Sequence, residues 1–177
     1  MESLLQVTFN SLKKHNACQD RYSYLSKSLG GDEIYGLDTP INVLTILKYN
    51  GLDDALWSLR ATIQNSNKVS NLFSADCAES VLHIFEEKYP YVMQPRNAIQ
   101  ATRDFANDLI SSVELDDAVR AVWDAGGVYS MSARDAIASG FAGNGATGVA
   151  KVARASVDNY PEEMDKQIQF IIKYLME

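Results

Sequence analysis

TPINVLTILKYNGLDDALWSLRA, residues 39–61, is the stretch whose reading decides the fold. Thr39 is a suitable N-cap and Pro40 occupies the first helical position, where its missing N–H costs nothing. Ile41, Leu44, Ile46, Leu47 and Tyr49 cover most of a helix surface in apolar atoms, and Asn50-Gly51 supplies a left-handed stop. Leu52, Ala55, Leu56 and Leu59 then open a second apolar face at helical spacing, with Trp57 and Arg60 beside it. A helical hairpin apolar on nearly every side has to be buried. It is therefore expected to be the core of the chain.

The flanking sequence continues in the same helical grammar. Leu4, Leu5, Phe9 and Leu12 mark a helix ending at Lys13-Lys14-His15, and a second is expected over Ala17–Ser28, stopped by Gly30-Gly31. Residues 32–38 read as a loop with Ile34 and Tyr35 tucked beneath it. Val69, Leu72, Phe73, Ala75, Cys77, Ala78, Val81, Leu82 and Phe85 predict one long amphipathic helix over 68–89, halted at Pro90. Pro95 starts another helix. Ser111 and Glu114 form an S-x-x-E capping box for the next, which runs to Gly126-Gly127. Residues 128–138 and 148–157 can be helical. A last helix begins at Pro161, with Glu162 and Glu163 in its first turn and Met164, Ile168, Ile171, Ile172 and Leu175 inward.

No sustained period-two pattern appears. The expected fold is an all-α, single-domain multi-helix bundle over 1–177, built on the hairpin at 39–61, with residues 128–148 as a Gly/Ala-rich irregular connector. AVRAVWDA (118–125), SARDAIAS (132–139) and VAKVARAS (149–156) read either as a weak internal repeat or as Ala-rich helices alike in composition.

Composition narrows the function classes. The chain has 177 residues, 46% hydrophobic, with a formal net charge of −7, so it has no general attraction for nucleic acid or anionic lipid. The acidity is uneven, being concentrated after Ser112. The apolar run after Met1-Glu2 is broken by Gln6, Asn10 and Ser11 and does not read as a signal peptide; a cytoplasmic location is expected. Cys18 and Cys77 form no CxxC or Cys/His cluster, and free buried thiols are expected in preference to a disulfide.

The sites of chemistry fail one by one. Gly143–Gly148 spells G-x-G-x-x-G, but no strand precedes or follows it, and Val149 stands where a P-loop needs lysine. His15 and His83 lack a second metal ligand at helical spacing. Asp76 and Glu79 would raise, not lower, the pKa of Cys77. The paired carboxylates are adjacent residues and do not share a helix face. No catalytic, cofactor or metal residue is assigned, and the chain is read as a non-enzyme. What remains is an acidic segment of Glu114, Asp116, Asp117 and Asp124, relieved by Arg120 at i,i+4 from Asp116. It is either a solvated helix face or a patch that docks on a basic protein partner.

The runs YGLDTPINVLTILKYNGLDDALWSLRA, ADCAESVLHIFEEKYP and PRNAIQATRDFAN, between Tyr35 and Asn107, resemble immunity proteins of bacterial polymorphic toxin systems, also found in phages. After Ser112 the resemblance weakens. It implies a small all-helical protein that binds and neutralises a toxin-like effector without a cofactor, and it carries over no catalytic residue. Arg60, Asp76, Arg96 and Arg103 lie within these runs and are expected to be intramolecular salt-bridge partners. Two alternatives stand beside immunity. One is a phage-encoded inhibitor of an antiviral defence complex that imitates nucleic acid with the same acids; the other is a self-assembling structural protein.

Overall fold

A computed structural model describes residues 5–125 and 145–176. The described residues are all-α in character: eleven α-helices, one 3-10 turn and a single pair of two-residue strands. They divide into two compact units, residues 5–66 with 172–176, and the described residues between 67 and 171. The expected connector at 128–148, the 128–138 helix and the Gly126-Gly127 stop fall largely outside the described residues.

In the first unit, β1 (Gln6–Val7) pairs antiparallel with β2 (Ile41–Asn42), Gln6 opposite Asn42 and Val7 opposite Ile41. These strands displace two expected helix starts. Thr8, not Met1, opens α1 (Phe9–Lys14), through a capping box in which Thr8 Oγ1 accepts from the Ser11 N–H and Ser11 Oγ from the Thr8 N–H, each at 2.9 Å. Asn42, not Thr39, caps α4 (Val43–Asn50), its Oδ1 accepting from the Leu44 N–H at 2.8 Å. Pro40 therefore precedes a strand, where the missing N–H is equally harmless.

Between them lie α2 (Gln19–Ser28) and the single turn α3 (Asp32–Tyr35). Ile34 is not tucked in: it is 86% exposed. Tyr35 does turn inward, its ring centre 6.0 Å from that of Phe9, while the ring centre of Tyr22, on the other helix, lies 5.2 Å from that of Phe9. Asp32 ties this corner together, accepting from the Tyr22 hydroxyl, from Ser26 Oγ (3.3 Å) and from Lys13 Nζ (3.3 Å). The hydroxyl is the largest influence holding the Asp32 carboxyl below its ordinary range.

The two hairpin helices form on either side of Gly51, the first starting at Val43 and not at Pro40. Gly51 has φ +86° and ψ −178°, a conformation nearly confined to glycine, and separates α4 from α5 (Leu52–Ser58), which runs into a 3-10 turn at Leu59–Ala61. Ile46, Leu52, Ala55, Leu56 and Leu59 are buried, so the hairpin supplies the core of this unit.

The second unit has its own core. Here α6 (Asn67–Ser80) packs against α8 (Gln94–Ala106), α8 against α9 (Ser112–Ala125), and α10 (Gly145–Ala155) against α6. The long helix expected over 68–89 breaks at Val81 (φ −108°, ψ 0°) before α7 (Leu82–Glu86). Ser80 Oγ lies 2.8 Å from both the Cys77 carbonyl and Glu163 Oε1, two acceptors that share its single proton at the end of α6. Pro95 stands in the first turn of α8 as expected. Gly145–Gly148 of the glycine-rich motif are the opening turn of α10; Gly143 and Asn144 lie outside the described residues. The last helix, α11, spans Tyr160–Met176.

Candidate protein-binding surface

The acidic segment is built on α9, whose start is fixed by its own sequence. The Ser111 N–H donates to Glu114 Oε2 at 2.8 Å and Ser111 Oγ to the same oxygen at 2.9 Å, while the Glu114 N–H donates back to Ser111 Oγ at 3.3 Å. This is the predicted capping box. The backbone and hydroxyl donors of Ser111 hold the Glu114 carboxyl below its usual range. Leu115, Val119 and Val122 are buried and define the inward face.

Glu114, Asp116, Asp117 and Asp124 are all exposed. They do not form one stripe. At about 100° per residue, Asp117 and Asp124 stand opposite the buried face, about two turns and 10.5 Å apart along the axis. Val113, 66% exposed, shares that side. Glu114 and Asp116 fall on opposite flanks, and Glu114 is committed to the cap. Arg120 pairs with Asp117 at 3.5 Å, three residues back, and not with Asp116 as its spacing had suggested. Both members of this pair are well exposed, so it neutralises little. The outer side of α9 thus presents Asp117 and Asp124 with Arg120 beside them, Asp116 stands on one flank, and Glu114 on the other is held by the cap.

The neighbouring basic residues are occupied. Arg96 forks onto Glu86, with Nε at 2.8 Å from Oε1 and Nη2 at 2.7 Å from Oε2. Arg103 Nη2 bridges α8 to α6, 2.8 Å from Asp76 and 2.6 Å from Glu79. Three of the four expected intramolecular partners are confirmed in this way, Asp76 among them. Arg60 differs: its Nε donates to the Trp57 carbonyl at 3.2 Å and its guanidinium lies 5.3 Å from the Trp57 ring centre.

Catalytic and metal readings gain nothing from the geometry. Cys77 is fully buried, and burial first, then the nearby Glu163 carboxylate, push its thiol well above the ordinary range; a thiol so raised is a poor nucleophile. Cys18 is free as expected but exposed, at the N-cap of α2, not buried. Among the described residues no group of His, Cys, Asp and Glu could hold a metal ion. No helix among them is long and apolar enough to cross a membrane.

One polar group was missed altogether. Glu163 and Gln167, together with Arg154, are buried inside the second unit. Glu163 had been read only as a first-turn carboxylate. The spacing 163, 167, 171 continues the inward row of Ile171 by two steps of four, and that was the available signal.

No curated protein and no solved structure matches the chain. A family model does match, over residues 61–138, a span somewhat under half the chain that contains α6 to α9 and with them the whole acidic segment. The hairpin at 39–61, which had carried much of the resemblance, precedes this span except for Ala61, whereas the acidic helix, where the resemblance had weakened, lies within it. The matched family is described as Imm-5 like putative immunity protein, and the match supports the resemblance to immunity proteins.

Proposed function

We propose that this protein is an immunity-type inhibitor that binds a toxin-like effector stoichiometrically and neutralises it by covering its surface. In this reading the outer side of α9 meets a basic region of the effector, in the cytoplasm, with no cofactor and no catalytic step. The observation that carries it is the exposure of Glu114, Asp116, Asp117 and Asp124 on one helix inside the family-matched span. Because Arg96 and Arg103 are paired internally, their charge does little to offset that field. Complementary charge at an interface speeds encounter and discriminates against wrong partners, and it makes binding sensitive to salt.

The test uses the triple variant D116N/D117N/D124N, with Glu114 kept because it holds the helix cap. The chain is used to capture partners from host lysate at low and high salt, and each captured protein is then expressed with and without the chain. The expected result is a protein toxic on its own and harmless with the parent chain, whose capture is lost at high salt and with the triple variant. Protection that survives the triple variant would move the interface off α9. Displacement of the captured protein by added DNA or RNA would instead favour inhibition of a nucleic-acid-binding defence complex.

A further inference from the structure

Buried charge is costly, so a charged group inside a helical unit invites the question of what it does. Arg154 on α10 is 2% exposed, Glu163 on α11 2% and Gln167 on α11 0%. Arg154 Nη1 donates to Gln167 Oε1 at 3.2 Å and to Met164 Sδ at 3.4 Å. Gln167 Nε2 donates to the Ala150 carbonyl and to Glu163 Oε1, each at 3.1 Å. Ser80 Oγ, at the end of α6, lies 2.8 Å from the same Glu163 oxygen. One continuous polar chain therefore crosses from α10 through α11 to the break after α6.

The apolar surroundings say why such a chain is needed. Besides Arg154, the buried residues of α10 are Ala146, Val149, Ala150 and Ala153. A slip of α10 by one turn, about 5.4 Å along its axis, would exchange Ala146 for Ala150 and Val149 for Ala153. The exchange of Ala146 for Ala150 leaves apolar burial unchanged, and that of Val149 for Ala153 alters it by two methyl groups. The bonds made by α10 change: Arg154 loses Gln167 and Met164, and the Ala150 carbonyl moves away from Gln167 Nε2. The Glu163 bonds to Gln167 and Ser80 stay in place as the fixed end of the chain. The same slip carries Arg154 Nη1 out of reach of Gln167 and leaves buried polar atoms without partners. A face of mostly alanine discriminates between registers less sharply than these directional hydrogen bonds do.

We propose that Arg154, Gln167, Glu163 and Ser80 form a register lock, which sets the axial position of α10 relative to α11 and the end of α6. It selects one packing and adds little net stability. Ser80 lies within the family-matched span and the other three residues lie outside it, so the lock fixes residues 145–171 onto that span. This proposal is independent of the binding reading.

The test replaces the whole chain by apolar groups of similar size, S80A/R154M/E163L/Q167L, in the full-length protein. Spin labels are placed at the exposed positions Lys151 on α10 and Gln169 on α11, on a Cys18→Ser background in which Cys77 stays buried. The parent is expected to show one interlabel distance. The apolar variant is expected to melt at or above the parent temperature and to show a second distance population. R154M alone, which leaves the buried Gln167 Oε1 without its donor, is expected to lower the melting temperature by about 5 °C. A folded apolar variant with the single parental distance overturns the proposal. So does a variant that fails to fold or melts well below the parent, because the chain would then be a source of stability.

Discussion

Phe9 is completely buried where α1, α2 and α3 meet, and its removal gives a measurable account of what holds the first unit together. In Phe9→Ala the ring is lost from a site flanked by two aromatic edges, Tyr22 at 5.2 Å and 65° and Tyr35 at 6.0 Å and 88°. Transfer of a phenyl side chain from water contributes about 1.5–3 kcal/mol. Each edge contact adds about 0.5–1.5 kcal/mol beyond area. Neither Tyr22, held by its bond to Asp32, nor Tyr35, on a four-residue helix ending at Gly36, is well placed to fill the cavity. The expected loss is about 3–5 kcal/mol, the range for phenylalanine truncation in a core that relaxes incompletely. Phe9→Leu keeps most of the volume but loses both edge contacts, and should cost about 1–3 kcal/mol. Urea denaturation followed by far-ultraviolet circular dichroism, with the slopes of parent and variants compared, measures both. A loss below about 1.5 kcal/mol in Phe9→Ala would refute the packing argument. Equal losses in the two variants would refute the role given to the ring edges.

Two further outcomes follow from the same unit. Gly51→Ala should cost about 1–3 kcal/mol, and the cost is pure backbone strain, since an added Cβ meets nothing within 4 Å; an unchanged denaturation midpoint would contradict it. Tyr22→Phe removes the main influence depressing the Asp32 carboxyl. A depressed carboxylate contributes stability above its unfolded pKa of about 4, and that contribution is lost as pH falls through the folded value. The variant should therefore be less stable than the parent at neutral pH and lose less stability on acid titration below about pH 4, the two curves converging in acid. The Tyr22 hydroxyl is itself raised, chiefly by burial, so the parent should also show an alkaline loss above about pH 10 that the variant lacks. Superimposable pH–stability curves would refute both assignments.

What could be read from the sequence was whatever depends on neighbours in the chain. Gly51, the Ser111–Glu114 box and Pro95 act over three or four residues, and each appears where its sequence places it. The failures depend on distant residues. Thr39-Pro40 is a good helix start in isolation, but Ile41 and Asn42 are taken by Gln6 and Val7, and the cap moves to Asn42. Two-residue strands are too short to show any periodicity. Ser80 and Val81 interrupt a helix whose apolar spacing runs on without a gap. At the candidate surface the composition of α9 is plain in the sequence, whereas the part each acid plays depends on which face is buried: Asp117 and Asp124 stand outward together while Glu114 is spent on the cap. Gln167 and Glu163 were passed over because a polar residue on an inward row looks solvated until its partner on another helix is known.

The short pairing of β1 with β2 has a consequence for the order in which the chain can acquire structure. Gln6 is held from three sides: it pairs with Asn42, its carbonyl accepts from the Ile63 N–H at 2.7 Å, and its own N–H donates to Gln64 Oε1 at 2.8 Å. All of these partners are made later than Gln6 on the ribosome, by about 35 to 60 residues. At about 5–20 residues per second, the first strand waits several seconds before its last contact exists. Closing a loop of that length costs about 3 kcal/mol in chain entropy, and the closure is repaid once the hairpin at 43–58 has formed. Within residues 5–66, the first strand is thus made first and settled last, and premature pairing of residues 5–9 with another chain is the hazard that a slow ribosome would expose.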